Sequence, residues 1–376
     1  VEEMHTDQVR VVIKIGSSSL TLENEGLNME QIRYFASELA ALRAEGLQVL
    51  LVTSGAVAAG FTSLGYKARP KLLHEKQASA SIGQTLLMQA YHEALAKYGI
   101  GAAQILLTRS DFTNRKCVHN ASMTIDELLH RGVIPIINEN DTISVDEIKF
   151  GDNDTLSALV ANLVKAQKLI ILTDIDGLYT DNPRNNPLAK RIDHVDEITD
   201  ELYQIAGGAG SAVGTGGMRT KIEAARIGMR GGVSVFVGRS YEPGDLMIAY
   251  KGNGKGTYFD AKHHNLSMKK QWVGFHSVAA GTIIVDQGAE KALLNGGKSL
   301  LPAGVTQVEG DFHPGDVVEV RNVQGECIGR GIVNYTPWQI QAVAGHSSEE
   351  VTKRIEVSRI EVIHRDEWVT LQSYKS

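Results

Sequence analysis

The chain has 376 residues, too many for one ordinary hydrophobic core, so its length points to two domains. Hydrophobic residues make up 43% and charged residues 22%, the balance of a globular protein, and the net charge of -6 stands against a dedicated nucleic-acid binder. Two cysteines, Cys117 and Cys327, exclude a disulfide framework and a four-thiolate zinc site. They suit a reducing cytoplasm, which is the expected location. Residues 1–8 lack the basic and apolar regions of a signal peptide. No apolar run approaches the roughly 18 residues that a membrane span needs.

A β-branched run over 9–15 predicts a buried strand that ends in Gly16-Ser17-Ser18-Ser19. Ile32, Phe35, Leu39 and Leu42 share one face of a helix predicted over 28–45, which Gly46 stops. A second buried strand is expected at 48–53. Small residues then open a helix at 56–60, and 75–98 is a long helical stretch. Further strands are expected at 103–108, 133–138 and 168–173, with helices at 126–131 and 154–164. This alternation is the mark of an α/β protein, a three-layer sandwich with a mostly parallel sheet. In such sheets ligands bind outside the carboxyl ends of the strands. Lys14 to Ser17, Ser54-Gly55, Asn138 to Asp141 and Thr173-Asp174 each close a strand.

The texture changes after Tyr250. The glycine-rich stretch 251–256 marks a boundary, and 261–270 has the look of a connector. Short runs at 281–285, 304–309, 317–322, 327–334 and 360–363 predict a small, mainly β domain. The expected division is a ligand-binding α/β domain at 1–258, a linker at 259–271 and a small domain at 272–376.

Phosphate sites use backbone N–H groups in glycine-rich turns and at helix N-termini, together with a lysine or arginine. The P-loop pattern is absent, and Gly214-Thr215-Gly216-Gly217-Met218-Arg219 fails the dinucleotide fingerprint. Three other candidates remain. Lys14 lies inside an apolar strand, so it is either functional or an edge lysine that snorkels to water. Thr53-Ser54-Gly55-Ala56-Val57-Ala58-Ala59-Gly60 either admits an anion or packs a helix closely on a strand. Gly214-Thr215-Gly216-Gly217-Met218-Arg219-Thr220-Lys221 reads as a flexible loop before a helix at 221–229, either a phosphate-contacting lid or a mobile turn. A fourth feature is acidic: Asn138-Glu139-Asn140-Asp141 and Gly151-Asp152-Asn153-Asp154. Any one of these residues can be a helix N-cap, but the pair of clusters suits a ligand ammonium group and the orientation of lysines.

Together these segments resemble the amino acid kinase family. They include Val12-Ile13-Lys14-Ile15-Gly16-Ser17-Ser18, Leu172-Thr173-Asp174 and Gly177-Leu178-Tyr179-Thr180. The set is most similar to the members that phosphorylate the side-chain carboxylate of glutamate, the first step of proline biosynthesis. The tail, with Ser299-Leu300-Leu301-Pro302-Ala303-Gly304-Val305 and Gly310-Asp311-Phe312, resembles a PUA domain. The resemblance implies that ATP and Mg²⁺ are used. It implies that Lys14 and Lys221 contact the phosphates and that Asp154 orients both lysines. Gly16, Ser17, Thr173, Asp174, Thr215, Gly216, Gly217, Met218, Arg219 and Thr220 would hold the nucleotide. Ser54, Gly55, Asp141 and Asn153 would hold L-glutamate. It also implies a homo-oligomer, dimer or tetramer, and feedback inhibition by proline.

The chemistry fits these residue types. A glutamate side chain has a reference pKa near 4.3 and is an anion at neutral pH, so the acceptor needs no general base. The twelve histidines are scattered outside the motifs. Sister kinases acting on acetylglutamate, aspartate, carbamate or UMP share the strand-end motifs. An RNA-binding role for the tail is opposed by its charge: residues 272–368 hold eight Lys and Arg against thirteen Asp and Glu.

Overall fold

The computed structural model describes residues 8–22, 26–143, 153–181, 183, 186–206, 215–261, 273–274, 279–295, 297–355 and 359–371. Contacts divide the chain into two units: Val1–Asp111 with Arg115–Asn265, and Phe112–Asn114 with Leu266–Ser376.

The first unit is built on an eight-stranded sheet. Its strands are β1 (Arg10–Ile15), β4 (Gln48–Val52), β5 (Ala102–Leu107), β6 (Ile134–Glu139), β7 (Lys168–Leu172), β10 (His194–Val195), β11 (Ser234–Gly238) and β12 (Gly256–Phe259). Two small hairpins, β2 (Thr21–Leu22) with β3 (Gly26–Leu27) and β8 (Leu178–Tyr179) with β9 (Arg191–Ile192), stand outside it. The strand order is β10-β12-β11-β7-β1-β4-β6-β5, and only the β11–β12 pair is antiparallel. The helices are α1 (Ser17–Leu20), α2 (Met29–Ala44), α3 (Ala56–Gly60), α4 (Leu73–Ala96), α5 (Arg115–His130), α6 (Asp154–Leu163), α7 (Asp200–Ala206), α8 (Thr215–Arg230) and α9 (Asp245–Tyr250).

The period of two along a strand decides which side chains meet which helices. Val11, Ile13 and Ile15 of β1 pack with Ile32, Phe35, Leu39 and Leu42 of α2 and with Leu87, Tyr91 and Leu95 of α4. The intervening residues, Val12 and Lys14, face the opposite layer, where α6 contacts β1 and β7 and packs on α8. Lys14 is thereby delivered to the N-terminal ends of α6 and α8.

The expected strands of this unit fall within a residue of those observed. Three expectations shift. The helix foreseen at 126–131 is the end of α5, whose earlier turns are polar and bury little; among its described side chains only Ile125 and Leu129 are fully buried. The stretch 251–256 is a turn from α9 into β12, inside the first unit. The loop expected before residue 221 is already helical from Thr215, so α8 starts six residues sooner than the glycines suggest.

α3 and α4 meet backbone to backbone. A Cβ on Gly60 would overlap the Ser79 carbonyl oxygen, and one on Gly83 the Ala56 carbonyl oxygen. Backbone cannot yield as a side-chain tip can. Gly83→Ala is therefore expected to cost about 3 kcal/mol, the upper end of overpacking penalties, measured by urea denaturation. Unchanged stability would mean that α3 moves freely.

The second unit carries a five-stranded sheet of order β14-β13-β15-β16-β17. Its strands are β13 (Gly281–Val285), β14 (Val305–Gly310), β15 (Val317–Arg321), β16 (Cys327–Val333) and β17 (Ile363–Thr370). Helices α10 (Gln287–Asn295), α11 (Pro337–Val343) and α12 (Ser348–Arg354) complete it. Ile283, Val320, Ile328, Tyr335 and Trp368 are among its core residues. The last strand begins where the expected run at 360–363 ends. Ile360 is exposed, and the strand continues through the polar His364-Arg365-Asp366-Glu367, which hides it from a hydrophobicity reading.

Candidate active site

Lys14 is only 1% exposed and sits on the fifth strand of eight, between β7 and β4. The snorkelling edge lysine is ruled out. An ammonium group at such a place is costly unless it is paired. Its partner is Asp154, the first residue of α6 and 0% exposed: Lys14 Nζ lies 2.6 Å from Asp154 Oδ1. Lys221 approaches the other oxygen from α8, with Nζ 3.0 Å from Asp154 Oδ2. Thr220 donates its hydroxyl to the same Oδ2 at 2.9 Å. One carboxylate thus clamps two ammonium groups that repel each other.

The location of Asp154 at a helix N-terminus favours its negative charge. Lys221 Nζ also donates to the Gly217 carbonyl at 3.2 Å, so the first turn of α8 steers the lysine. Thr215 opens α8, and Gly216 follows it within the helix. Met218 is buried, whereas Gly217 and Arg219 are exposed. A Cβ on Gly16 would lie 3.5 Å from Lys14 Nζ, so glycine there leaves the ammonium group approachable. Ser17, half-buried, begins α1 just beyond it. Gly214, Gly151 and Asp152 lie outside the described residues.

On the β4–β6 side lies a cluster of buried polar side chains, Ser54, Asn138 and Asn153. Ser54 is 3% exposed, and its hydroxyl has no hydrogen-bond partner among the described residues. Gly55 follows with a φ of +105°, a left-handed conformation that leads into α3 and strains any other residue. Asn153 precedes α6, yet its side chain makes no cap hydrogen bond. Instead its Nδ2 donates to the Thr53 carbonyl at 2.6 Å and to Asn138 Oδ1 at 2.7 Å.

The direction of these amides is set by the backbone. Thr53 O can only accept, and Asn138 Oδ1 also takes the Glu139 N–H at 2.9 Å, so neither amide can be flipped without losing a bond. With both Asn153 N–H groups donated inward, the atom left for a ligand is an oxygen, an acceptor suited to an ammonium donor. Asn138 Nδ2 donates onward to Gln84, and Gln84 to Gln104, each at 2.8 Å.

Asp141 follows β6. Burial pushes its carboxyl up to about 6, and the Arg69 charge opposes that rise. On the other flank, Thr173 and Asp174 close β7. The Thr173 hydroxyl donates to Asp174 Oδ1 at 3.1 Å, and its N–H donates to the Gly238 carbonyl at 2.9 Å.

The expected site residues therefore group by strand. Lys14, Asp154, Thr220 and Lys221 are joined by direct contacts at β1. Ser54, Gly55, Asn153 and Asp141 flank them toward β4 and β6, and Thr173 with Asp174 toward β7. Among the described residues the ion-pair partner that Lys14 and Lys221 share is Asp154, and Asp141, Thr173 and Asp174 stand to either side. Gln84 was not foreseen, nor was the part played by Thr53, which stood in the small-residue string but whose carbonyl proves to hold Asn153. Gln84 carries a faint signal, a polar residue four after Ala80 and three before Leu87, both buried on the same helix. Among the described residues no group of three His, Cys, Asp or Glu is placed to hold a metal ion.

A clamped lysine pair at the carboxyl ends of a mostly parallel sheet is an arrangement suited to an anionic ligand in an α/β protein. Residues 9–239 match the amino acid kinase family and residues 281–355 the PUA domain, and the chain belongs to the amino acid kinase family. Over 364 residues it is 53% identical to the glutamate 5-kinase of Geobacillus kaustophilus (strain HTA426), covering 96% of this chain and 97% of that protein. It is 50% identical over 362 residues to the glutamate 5-kinase of Bacillus anthracis, covering 96% of this chain and 99% of that one. Among solved structures, UMP kinase from Ureaplasma parvum aligns with a TM-score of 0.48 at 15% identity, covering 67% of this chain and 99% of its own.

Proposed function

We propose that the chain transfers the γ-phosphoryl group of ATP to the side-chain carboxylate of L-glutamate, giving L-glutamyl 5-phosphate and ADP, the first step of proline biosynthesis. The observation that carries this reading is the buried Lys14–Asp154–Lys221 clamp, set between an acceptor pocket and a second strand-end site. The full-length similarity to glutamate 5-kinases supports the choice of acceptor.

The acceptor carboxylate arrives ionised, so the barrier is electrostatic: an anion meets a polyanion while charge spreads over the transferring group. Lys14 and Lys221 offset that charge, with the N-terminal end of α8 beside them. Asp154 keeps the two lysines in place; with Oδ1 paired to Lys14 and Oδ2 to Lys221, it is engaged as a positioning residue. Gly16, Ser17, Thr173, Asp174 and residues 215–219 line the nucleotide side. Asn153 Oδ1 and ionised Asp141 receive the substrate ammonium, and the Ser54 hydroxyl donates to a substrate oxygen. Mg²⁺ would be held mainly by ATP phosphate oxygens and water, supplying further charge neutralisation. Residues 1–258 form the catalytic domain in this reading, 259–271 the linker and 272–376 the PUA domain. The enzyme works in the cytoplasm as a homo-oligomer, and proline inhibits it.

Two results are expected here. Asn153→Ala raises the KM for glutamate more than it lowers kcat, and the reverse pattern in steady-state kinetics would contradict the role given to its oxygen. The pH response of Asp141 follows from its raised pKa of about 6. The substrate ammonium favours the ionised form, so kcat/KM for glutamate falls as the pH drops through about 6. Stability moves the other way: a carboxyl that binds its proton more tightly in the folded state adds stability as the pH falls from about 6 toward 3.8. A drop in kcat/KM near 6 with no loss of folded protein therefore reports binding. Asp141→Asn abolishes that limb; a limb that persists in the variant belongs to another group.

A further inference from the structure

We propose that Tyr241, with Arg239 against it, is the surface on which the purine base of the nucleotide stacks. This rests on the nucleotide reading above and extends it to residues outside the motifs.

The strand order confines where the base can lie. The acceptor pocket occupies the ends of β4 and β6, and the lysine clamp the end of β1. A nucleotide extending from the clamp must run the other way, over β7 toward β11. Neighbouring strands lie about 4.8 Å apart, which places β11 about 10 Å from β1. That is the scale of the reach from a triphosphate to its base. Beyond Asp174 on that path stands the segment after β11, Arg239-Ser240-Tyr241.

Tyr241 is a large ring left 53% exposed at the carboxyl edge of the sheet. Its hydroxyl lies 3.5 Å from the Asp174 carbonyl oxygen, and the Arg239 guanidinium carbon lies 5.7 Å from its ring centroid. An aromatic ring beside a guanidinium plane stacks a base with either π-face.

The segment is held firmly despite its exposure. Asp245 Oδ2 accepts the N–H groups of Tyr241 and Glu242 at 2.9 and 3.0 Å. The Tyr34 hydroxyl, from α2, lies 2.8 Å from Ser240 Oγ and from the Glu242 carbonyl. Glu38, only 4% exposed, accepts the N–H groups of Gly244 and Leu246 at 2.8 and 3.0 Å. Two buried or half-buried side chains of α2 thus brace a turn whose one large exposed ring has no role in the core. Such pre-organisation lowers the ordering cost of binding.

The test compares ADP with inorganic tripolyphosphate, which has no base, by calorimetry on the full-length protein. Tyr241→Ala should weaken ADP at least about fivefold, the low end of base–aromatic stacking, and leave tripolyphosphate unchanged. Tyr241→Phe should bind ADP like the unaltered chain, because the ring acts and not the hydroxyl. A thermal melt of each variant checks the fold. If the unaltered chain binds ADP and Tyr241→Ala binds it equally well, the stacking surface is refuted while the nucleotide site stands. If ADP and tripolyphosphate weaken together, Tyr241 acts on the shape of the loop, which also overturns the proposal. If the unaltered chain binds no ADP, the nucleotide reading itself fails.

Discussion

Lys14→Met is expected to lower kcat by on the order of 10²–10³, the usual loss when one preorganised charge donor is removed from a transition state. Methionine keeps the buried stem packed against β4 and β7 and removes only the ammonium group. Asp154 retains Lys221 and Thr220 as partners, so folding should survive. Because the interaction strengthens as charge spreads over the transferring group, the KM for glutamate should move little. A variant that folds and turns over near the normal rate would remove Lys14 from the chemistry.

Asp154→Ala should do something different, and more. Asp154 is fully buried and is the shared counter-charge of two lysines. Taking one member from a buried ion pair costs about 3–5 kcal/mol, so the variant should melt well below the unaltered protein. The surviving folded fraction should lose turnover more than glutamate affinity, since the lysines drift from their productive poses while the Asn153 pocket is left in place. Asp154→Asn keeps the volume but removes the charge and one acceptor, because its NH2 must face a lysine or Thr220 donor; it should fold better than Asp154→Ala and still lose turnover. Kinetics on the folded fraction, with the melt measured in parallel, distinguish these losses. A larger effect on glutamate KM than on kcat would show that Asp154 belongs to the acceptor pocket.

The strands were legible because buried parallel strands are written as continuous apolar runs, and Lys14 stood out against one of them. What the pattern did not show was the depth of that lysine. An apolar strand with a terminal lysine reads the same at the edge of a sheet as at its centre, and only the order β7-β1-β4 places it inside. The start of α8 was hidden for another reason. Gly216 and Gly217 have poor helix propensity, yet the helix includes them, and Lys221 bonds back to the Gly217 carbonyl. Asn153 looked like a possible N-cap because it precedes a helix. Its side chain instead serves Thr53, 100 residues away in sequence, a contact that no local spacing announces. The polar start of α5 and the charged middle of β17 escaped because hydrophobic periodicity is silent where a side chain faces water.

The central claim is that ATP phosphorylates the glutamate side chain at the clamped lysine pair. It is tested most directly by incubating the full-length protein with MgATP, an acceptor and hydroxylamine, which traps an acyl phosphate as a hydroxamate. Glutamate should give hydroxamate and ADP in equal amounts. Aspartate, acetylglutamate and carbamate should give little, and UMP should give no hydroxamate and no ADP. Proline should suppress the glutamate signal. ADP release that does not depend on glutamate, or a hydroxamate formed faster from another acceptor, would contradict the account.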